Sequence, residues 1–355
     1  MKRTGNHATG RAGPGRKRRK RGPRFVEIAT TAGVSLATVD RVLNERDSVS
    51  DATRQKVLHA ARQLGVPRIL PQPGHGFVHL DILLPRNDTP FFRRLGAALR
   101  DASVMLDRRV IVHRTVHGEE DVAAMAASLR KPPHRRAGFV IAAPDVPLIR
   151  EAAEVAIKRG EHGVAAVSEL PDLAGVSYVG IDNHRAGMAA GHLMGRMTPS
   201  AGRIIMLGSA PDFRAHMDRQ AGFHEALVTF PHLTVDPIDV RTRDDPERCF
   251  VSVRRALQTS SQSIVGIYNS GAGSEGIARA LAAHAGPRPN WIGHEISDDH
   301  IGYLKAGFMD VAIDQDPAGQ AIAALQTLLH RVGVTERPPS TLRGELRIYT
   351  RYSLP

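Results

Sequence analysis

Regular hydrophobic patterning begins at Phe25 and predicts three short helices before Gly65. Apolar residues at helical spacing follow Phe25 and stop near Gly33. Ser35 then stands as the N-cap of a second helix, Leu36–Leu43, and Ser50 stands as the cap of a third, because a serine oxygen can accept the free backbone N–H groups of a first turn. Three short helices with tight turns in about forty residues predict a helix-turn-helix domain.

From Phe77 onward, short apolar runs alternate with amphipathic helical stretches. This alternation predicts βαβ units with parallel sheets. About nine strands are more than one compact sheet needs, so we expect two Rossmann-like lobes. The expected strands are Val78–Leu84, Val110–Val112, Gly138–Ala143, Val164–Ser168, Val176–Ile181, Ile204–Gly208, Ile264–Tyr268, Trp291–His294 and Val311–Asp314, and the clearest helical stretches are Phe91–Leu106, Asp121–Leu129, Arg185–Met197 and Gln220–Thr229.

The segment between these regions is rich in proline and glycine, which oppose regular helix. We therefore expect a mixed α/β protein in which an all-α helix-turn-helix domain precedes a two-lobed domain. The expected boundaries are a basic disordered arm at 1–23, the helix-turn-helix at 24–66, a linker at 67–76 and the two lobes at 77–355.

Most of the positive charge lies in the arm. The formal net charge is +12, and residues 1–24 carry ten Lys or Arg and no acid, which leaves +2 for the rest of the chain. Such an arm can displace counterions from phosphates, although a solvated tail is the open alternative. A single cysteine, no apolar run of about 20 residues and no signal-like start predict a cytoplasmic protein without a membrane span.

Residues 26–44 resemble the helix-turn-helix of the lactose-repressor (LacI/GalR) family, and the likeness continues through Val49, Ser50, Thr53 and Val57. Ala29 is small where two helices cross, and Gly33 can adopt the left-handed conformation of the turn. The resemblance implies a homodimer that binds a double-stranded DNA operator. A three-helix module that packs against protein is the alternative.

The resemblance also implies roles for the second helix. Arg41 can pair bidentately with guanine, and two apolar side chains can contact thymine methyl groups. Phosphate contacts would lie at the edge of this face. The expected base-contacting residues are Leu36, Ala37 and Arg41, and the expected phosphate-contacting residues are Ser35, Thr38 and Asn44.

Residues 78–334 look like the effector domain of the same family, which is shared with periplasmic sugar-binding proteins. This likeness implies a small effector, a sugar or polyol, bound between the lobes. The aromatic pair after the first strand would stack on a sugar ring, or else pack in the core. The implied effector-binding residues are Asn87, Phe91, Phe92, Asp145, Arg219, Asn269, Glu295 and Gln315, where Glu295 departs from the usual Asp.

The linker departs from the family, which usually has a short hinge helix there. Leu70 could still enter the minor groove as a wedge, but Pro71 and Pro73 remove backbone donors. We therefore expect the effector to act through lobe closure or dimer geometry.

Other functional classes remain as alternatives. Gly271 to Gly276 spell G-x-G-x-x-G, with Glu295 nineteen residues beyond Gly276, which is a pattern of NAD(P)-dependent oxidoreductases. Residues 77–355 alone would suit the solute-binding protein of a sugar uptake system. We expect no enzyme, no cofactor and no metal site, because catalytic motifs are missing and His113 and His117 fall on a strand and its following loop.

Overall fold

The computed structural model describes residues 25–43, 49–64, 77–118, 120–208, 213–236, 242–260, 262–339 and 344–355. The chain forms two compact units, Met1–His75 and Gly76–Pro355. The expected arm at 1–23, the linker at 67–76 and Asn44 lie outside the described residues.

The first unit contains three helices, α1 (Phe25–Ala32), α2 (Leu36–Leu43) and α3 (Asp51–Gln63). Their shared core consists of apolar side chains from all three helices, including Ile28, Val39, Val42, Val57 and Leu58. Serine oxygens cap the second and third helices, since Ser35 Oγ accepts from the backbone N–H of Thr38 (3.2 Å) and Ser50 Oγ accepts from that of Thr53 (3.4 Å). Gly33 has φ +65° in the turn. The helices lie where the apolar pattern and caps predict them.

The second unit has two lobes, each built on its own sheet. Within the described residues, the first lobe has five parallel strands in the order β2-β1-β3-β4-β5. Its elements are β1 (Val78–Arg86), α4 (Pro90–Val104), β2 (Val110–Gly118), α5 (Val122–Arg130), β3 (Gly138–Ile141), α6 (Pro147–Lys158), β4 (His162–Ala166), β5 (Val176–Val179) and, from the end of the chain, α12 (Pro317–Arg331).

The described part of the second lobe has six strands in the order β11-β10-β9-β8-β6-β7, of which β11 is antiparallel. Its elements are α7 (Asn183–Met197), β6 (Gly202–Leu207), α8 (Arg214–Leu227), β7 (Leu233–Val235), α9 (Pro246–Thr259), β8 (Ile264–Asn269), α10 (Ser274–Ala282), β9 (Asn290–His294), α11 (Asp298–Ala306), β10 (Val311–Asp314) and β11 (Arg347–Tyr349).

Helix α12 returns to the first lobe after the second sheet is complete. Its apolar face, including Ala321, Leu325 and Leu328, is buried with Leu80 and Leu95 in the core of the first lobe. The chain therefore passes between the lobes after β5, after β10 and again after α12, so both lobes are built from separate stretches of sequence.

The α/β class and the parallel sheets agree with the sequence-based expectation. Strands β7 and β11 were not predicted, because each has three residues at a sheet edge and little apolar patterning. Strand β2 continues six residues beyond Val112, to Gly118, and pairs with β1 along this length. The apolar pattern stops at Val112 because β2 is an edge strand, whose later residues are mostly exposed and polar. None of the described helices is long and apolar enough to cross a bilayer.

Helices α7 and α8 pack closely where a glycine of each helix faces the backbone of the other. A Cβ atom on Gly191 would lie 2.6 Å from the carbonyl oxygen of Phe223, and one on Gly222 would lie 2.0 Å from that of His184. Only glycine allows the two backbones to approach this closely.

We expect Gly191→Ala to lower the free energy of unfolding by about 1–3 kcal/mol, because the added methyl group must force the two helices apart. Gly302→Ala is the matched control, since Gly302 lies in α11 with no atom within 4 Å of its would-be Cβ. The control should raise the free energy of unfolding by about 0.5–1 kcal/mol through helix propensity. Denaturant unfolding of both variants measures the difference, and equal effects would contradict the close crossing.

Candidate functional site

The carboxyl ends of the parallel strands from both lobes meet at a cleft of about 650 Å³. Asn87 follows β1, Val167 follows β4, Glu295 follows β9 and Gln315 follows β10. Ligands of open α/β sheets bind at such strand ends, where loop side chains converge. The fold therefore assembles one polar cavity from residues that are far apart in sequence.

Arg219 of α8 is the most extensively bonded cation of the cleft. Its side chain is buried and donates from Nε to Asn183 Oδ1 (2.8 Å), from Nη1 to the Ser270 carbonyl oxygen (2.8 Å) and from Nη2 to Gln315 Oε1 (2.6 Å). A guanidinium has five N–H groups, so these three bonds leave two N–H groups for other partners. Arg219 is thereby fixed in place, and its two remaining N–H groups can donate hydrogen bonds beside the cavity.

Glu295 is a buried carboxyl group on the opposite side of this network. Its Oε1 accepts from Gln315 Nε2, and its Oε2 lies 3.5 Å from Arg94 Nη1 but has no hydrogen-bond partner among the described residues. Burial, together with the nearby Asp314 carboxylate, raises the pKa of Glu295 to about 8. At neutral pH this carboxyl group is mostly protonated, so it can both donate to and accept from a hydroxyl group.

The partly buried His216 and the buried His294 contribute further unpaired atoms. Nδ1 of His216 and Nδ1 of His294 lack hydrogen-bond partners within the described part of the chain. Burial lowers the pKa of His216 to about 4, and burial together with Arg219 holds the pKa of His294 well below its usual value. Both rings are therefore neutral at physiological pH. Buried polar atoms are rarely left unpaired in proteins, so these nitrogens are available to form hydrogen bonds with a molecule in the cleft.

Unusual backbone conformations also concentrate at the cleft. Of the six described non-glycine residues with positive φ, the four that line the cavity are Val167 (70°), Arg243 (44°), Asp244 (60°) and Glu295 (75°). A β-branched residue such as valine in this region is a genuine outlier. Strain of this kind clusters where side chains must be aimed at a ligand.

The two rings of the predicted aromatic pair are buried to different extents. Phe91 is buried in the core of the first lobe, and Phe92 packs against that core from a partly exposed position. The two rings meet edge to face at 5.4 Å, and both contribute atoms to the cavity lining. Phe213, immediately before α8, is a third aromatic lining residue that the sequence did not indicate.

Six of the eight predicted effector residues line the cavity, and two do not. These six are Asn87, Phe91, Phe92, Arg219, Glu295 and Gln315. Asp145 instead pairs with Arg150 through two bonds of 2.6 and 2.9 Å, and Asn269 is fully buried, where its Nδ2 donates to the Ala272 carbonyl oxygen (2.8 Å).

The glycine-rich segment has a packing role. A Cβ on Gly276 would lie 1.8 Å from the carbonyl oxygen of Pro246, so this glycine allows α10 to contact α9. The backbone N–H of Ala272 donates to Asp244 Oδ1 (2.8 Å), and the same carboxylate oxygen would lie 2.1 Å from a Cβ on Gly271. A carboxylate therefore occupies the loop and would repel a pyrophosphate, which disfavours the dinucleotide alternative.

The outer face of α2 carries the predicted DNA-contacting residues. Ser35, Leu36, Ala37 and Arg41 are exposed, and Thr38 is partly exposed with its hydroxyl 2.8 Å from that of Ser35. Half of the Leu36 surface is exposed, which is unusual for a leucine that packs in a core. The face is thus small, weakly polar and cationic at one end.

Two family models match this chain. Residues 80–333 match the periplasmic binding protein domain family, and residues 25–66 match the bacterial regulatory proteins of the lacI family. The chain belongs to the LacI/GalR family.

This LacI/GalR-family chain is similar to several curated regulators. It is 36% identical over 89 residues to the transcriptional regulator RegA of Clostridium saccharobutylicum, which covers 24% of this chain and 27% of that protein. It is 34% identical over 94 residues to the ribose operon repressor of Halalkalibacterium halodurans, covering 25% and 28% respectively. With DegA of Bacillus subtilis, the identity is 24% over 57% of this chain and 59% of the relative. These alignments span less than two thirds of each relative.

Solved structures of sugar-binding proteins share the fold of the second unit. A solute-binding protein from Burkholderia graminis in complex with D-arabinose has a TM-score of 0.71 at 18% identity, covering 79% of this chain and 97% of that one. The glucose-galactose binding protein GanP from Geobacillus stearothermophilus has a TM-score of 0.70 at 16% identity, covering 79% and 99%. At these identities the likeness concerns the fold alone.

The family resemblance did not indicate His216, His294 or Asp244. His216 lies one helical turn before Arg219, and His294 directly precedes Glu295 at the end of β9. Both positions could have been suspected from this adjacency, whereas Asp244 follows a segment outside the described residues and gives no comparable signal.

We expect the free energy of unfolding to fall as the pH rises from about 7.5 to about 8.5, because the folded chain keeps a proton on Glu295 that the unfolded chain has released. The histidines of the cleft have lowered pKa values in the folded chain and the ordinary value of about 6.5 in the unfolded chain, so above about pH 7.5 they are neutral in both states. Glu295→Gln should flatten the dependence, whereas Glu275→Gln, an exposed carboxyl at the cleft rim, should leave it unchanged. Denaturant unfolding at several pH values measures this, and an equal slope in the Glu295→Gln variant would contradict the protonated state.

Proposed function

We propose that this protein is a DNA-binding transcriptional regulator whose operator affinity changes when a small neutral polyhydroxyl molecule, a sugar or polyol, binds the cleft. The same chain combines an exposed recognition helix with a cavity that contains buried, unpaired polar atoms, and this combination supports the proposal. We further propose that it acts as a repressor and as a homodimer, and that it works in the cytoplasm, where its DNA is.

The first unit supports sequence-specific DNA binding. Ser35 caps α2, and the first turn of this helix is exposed at the protein surface. Arg41 is exposed on the same helix. An arginine in the major groove can donate two bonds to guanine O6 and N7, and Leu36 and Ala37 can contact thymine methyl groups. The remaining polar residues, Ser35 and Thr38, suit phosphate contacts, which set orientation.

The cleft supports a neutral effector. Its lining carries four basic and six acidic residues, so charges of the two signs largely offset each other: the basic residues are Arg86, Arg93, Arg219 and Arg243, and the acidic residues are Asp88, Asp244, Asp245, Glu275, Glu295 and Asp299. Glu295 is mostly protonated, which reduces the negative charge further. Neutral imidazoles, a protonated carboxyl and a buried guanidinium together offer donors and acceptors for hydroxyl groups, and Phe92 and Phe213 offer apolar faces.

A solute-binding protein without a transcriptional role is the second candidate, favoured by the sugar-binding proteins that share the fold. The lacI-type helices at 25–66 favour regulation instead. Fluorescence anisotropy of the full chain on a site selected from a pool of random duplexes separates the two. A transport-type protein would show no sequence-selective, salt-dependent binding.

Arg41→Ala should weaken binding to the selected site by about 1–3 kcal/mol and relax the preference at one base pair, because the bidentate contact is lost. Arg108→Ala is the matched control, since it removes the same charge from an exposed position in the second unit. Anisotropy titrations on the selected site and on random duplex measure both effects. Equal losses on the two DNAs would show that Arg41 contacts phosphate only.

Arg219→Lys should abolish the ligand-dependent rise in thermal midpoint that the wild-type protein shows with its sugar or polyol. A lysine cannot bridge Asn183, Ser270 and Gln315 together, so buried acceptors lose their donor and the ligand loses a fixed partner. Arg185→Lys, at an exposed position of α7, should respond like wild type. Differential scanning fluorimetry with pentoses, hexoses and polyols provides the measurement. A wild-type response to none of them would remove the sugar class, and an unchanged response of Arg219→Lys would remove its role.

A further inference from the structure

Three histidines meet at the amino-terminal end of the first sheet, away from the cleft. His79 lies near the start of β1, His113 lies on the edge strand β2, and His134 lies in the loop between α5 and β3. One ligand nitrogen from each ring lies within 4.8 Å of the others. The sequence predicts no metal site, because His113 and His117 fall on a strand and its following loop. Strand pairing instead places His113 opposite Asp81 and close to His79.

The three rings are arranged as a compact group. His79 Nδ1 and His113 Nε2 are 2.8 Å apart, so one of these nitrogens carries a hydrogen and the other accepts it. The His113 and His134 ring centroids are 3.8 Å apart. All three side chains are partly exposed, so ions from solvent can reach them.

A buried carboxylate supports one of these rings. Asp81 Oδ1 accepts from His134 Nε2 (2.9 Å), which leaves His134 Nδ1 with a free lone pair. Asp81 itself is held by the fully buried Arg136, whose Nη1 donates to Asp81 Oδ2 (2.6 Å) and whose Nε donates to Glu161 Oε2 (2.8 Å). Histidine ligands of metals commonly donate their second nitrogen to a carboxylate in this way, which fixes the tautomer and the ring orientation.

We propose that His79, His113 and His134 bind one divalent transition-metal ion of the Zn²⁺ class, with Asp81 orienting His134 and water completing the coordination. Imidazole nitrogens suit Zn²⁺, Cu²⁺ and Ni²⁺, and three of them with one open position make a sufficient ligand set. Zn–N bonds of about 2.0–2.1 Å require ligand nitrogens about 3.4 Å apart, which modest ring rotations provide. The ion would replace the hydrogen shared by His79 and His113.

The site is independent of the effector cleft. His79 and Asn87 are eight residues apart on an extended strand, which corresponds to about 26 Å. The ion would join β1, the exposed edge strand β2 and the loop before β3, so it would fix the least covered edge of the first lobe. His79 also lies only three residues after Gly76, where the second unit begins.

The test uses the full chain stripped of metal with a chelator and titrated with ZnCl₂ by calorimetry. We expect one ion per chain, and we expect His113→Gln to weaken binding at least about tenfold. His117→Gln is the matched control, since His117 lies on the same strand and the same face, about 13 Å away, and should bind like wild type. Equal weakening in both variants, or a wild-type affinity no higher than that of the triple variant H79Q/H113Q/H134Q, would overturn the proposal.

A second measurement needs no substitution. Crystals of the wild-type protein soaked in Zn²⁺ should give an anomalous difference peak between the three imidazoles at the zinc absorption edge. A strongest peak at any other position would overturn the assignment, even if the variants failed to fold.

Discussion

The buried guanidinium of Arg219 is the constraint on which the second unit depends. Asn183 begins α7 directly after the first connection between the lobes, and Gln315 lies in the second, so the three-way bonding of Arg219 ties two of the three connections to α8. A buried cation that loses its hydrogen-bond acceptors destabilises the folded state, so this geometry is costly to alter. A molecule that contacts Arg219 would therefore also bear on two of the segments that connect the lobes.

The cleft carries features that a stability-optimised core would avoid. Positive φ angles at Val167 and Glu295, a protonated carboxyl group and unpaired imidazole nitrogens each raise the free energy of the folded state. The surrounding sheets over-determine these conformations, because the strands that lead into these two residues, β4 and β9, are buried over their last four residues. We interpret the strain as pre-organisation, in which polar atoms are held ready before the ligand arrives.

Local signals predicted the local structure well, and tertiary contacts accounted for the remainder. Capping serines and helical spacing located α1 to α3, and apolar runs located the central strands. Three-residue edge strands such as β11 have no comparable signal. Within the cleft, residues at strand ends were foreseeable, and so was His216 beside Arg219, whereas Phe213 became visible only once the start of α8 was placed. The contact of His79 with His113 depends on strand register, which composition and periodicity do not specify.

The return of α12 to the first lobe has a consequence for how this protein can be divided. Leu325 and Leu328 complete the core against Leu80 and Leu95, although more than two hundred residues separate them in the chain. A fragment that stops after β5 would expose that core, and a ribosome must finish α12 before the first lobe can close. Early termination, proteolysis near the end of the chain or a tag that disturbs α12 would thus damage the half of the molecule that was synthesised first.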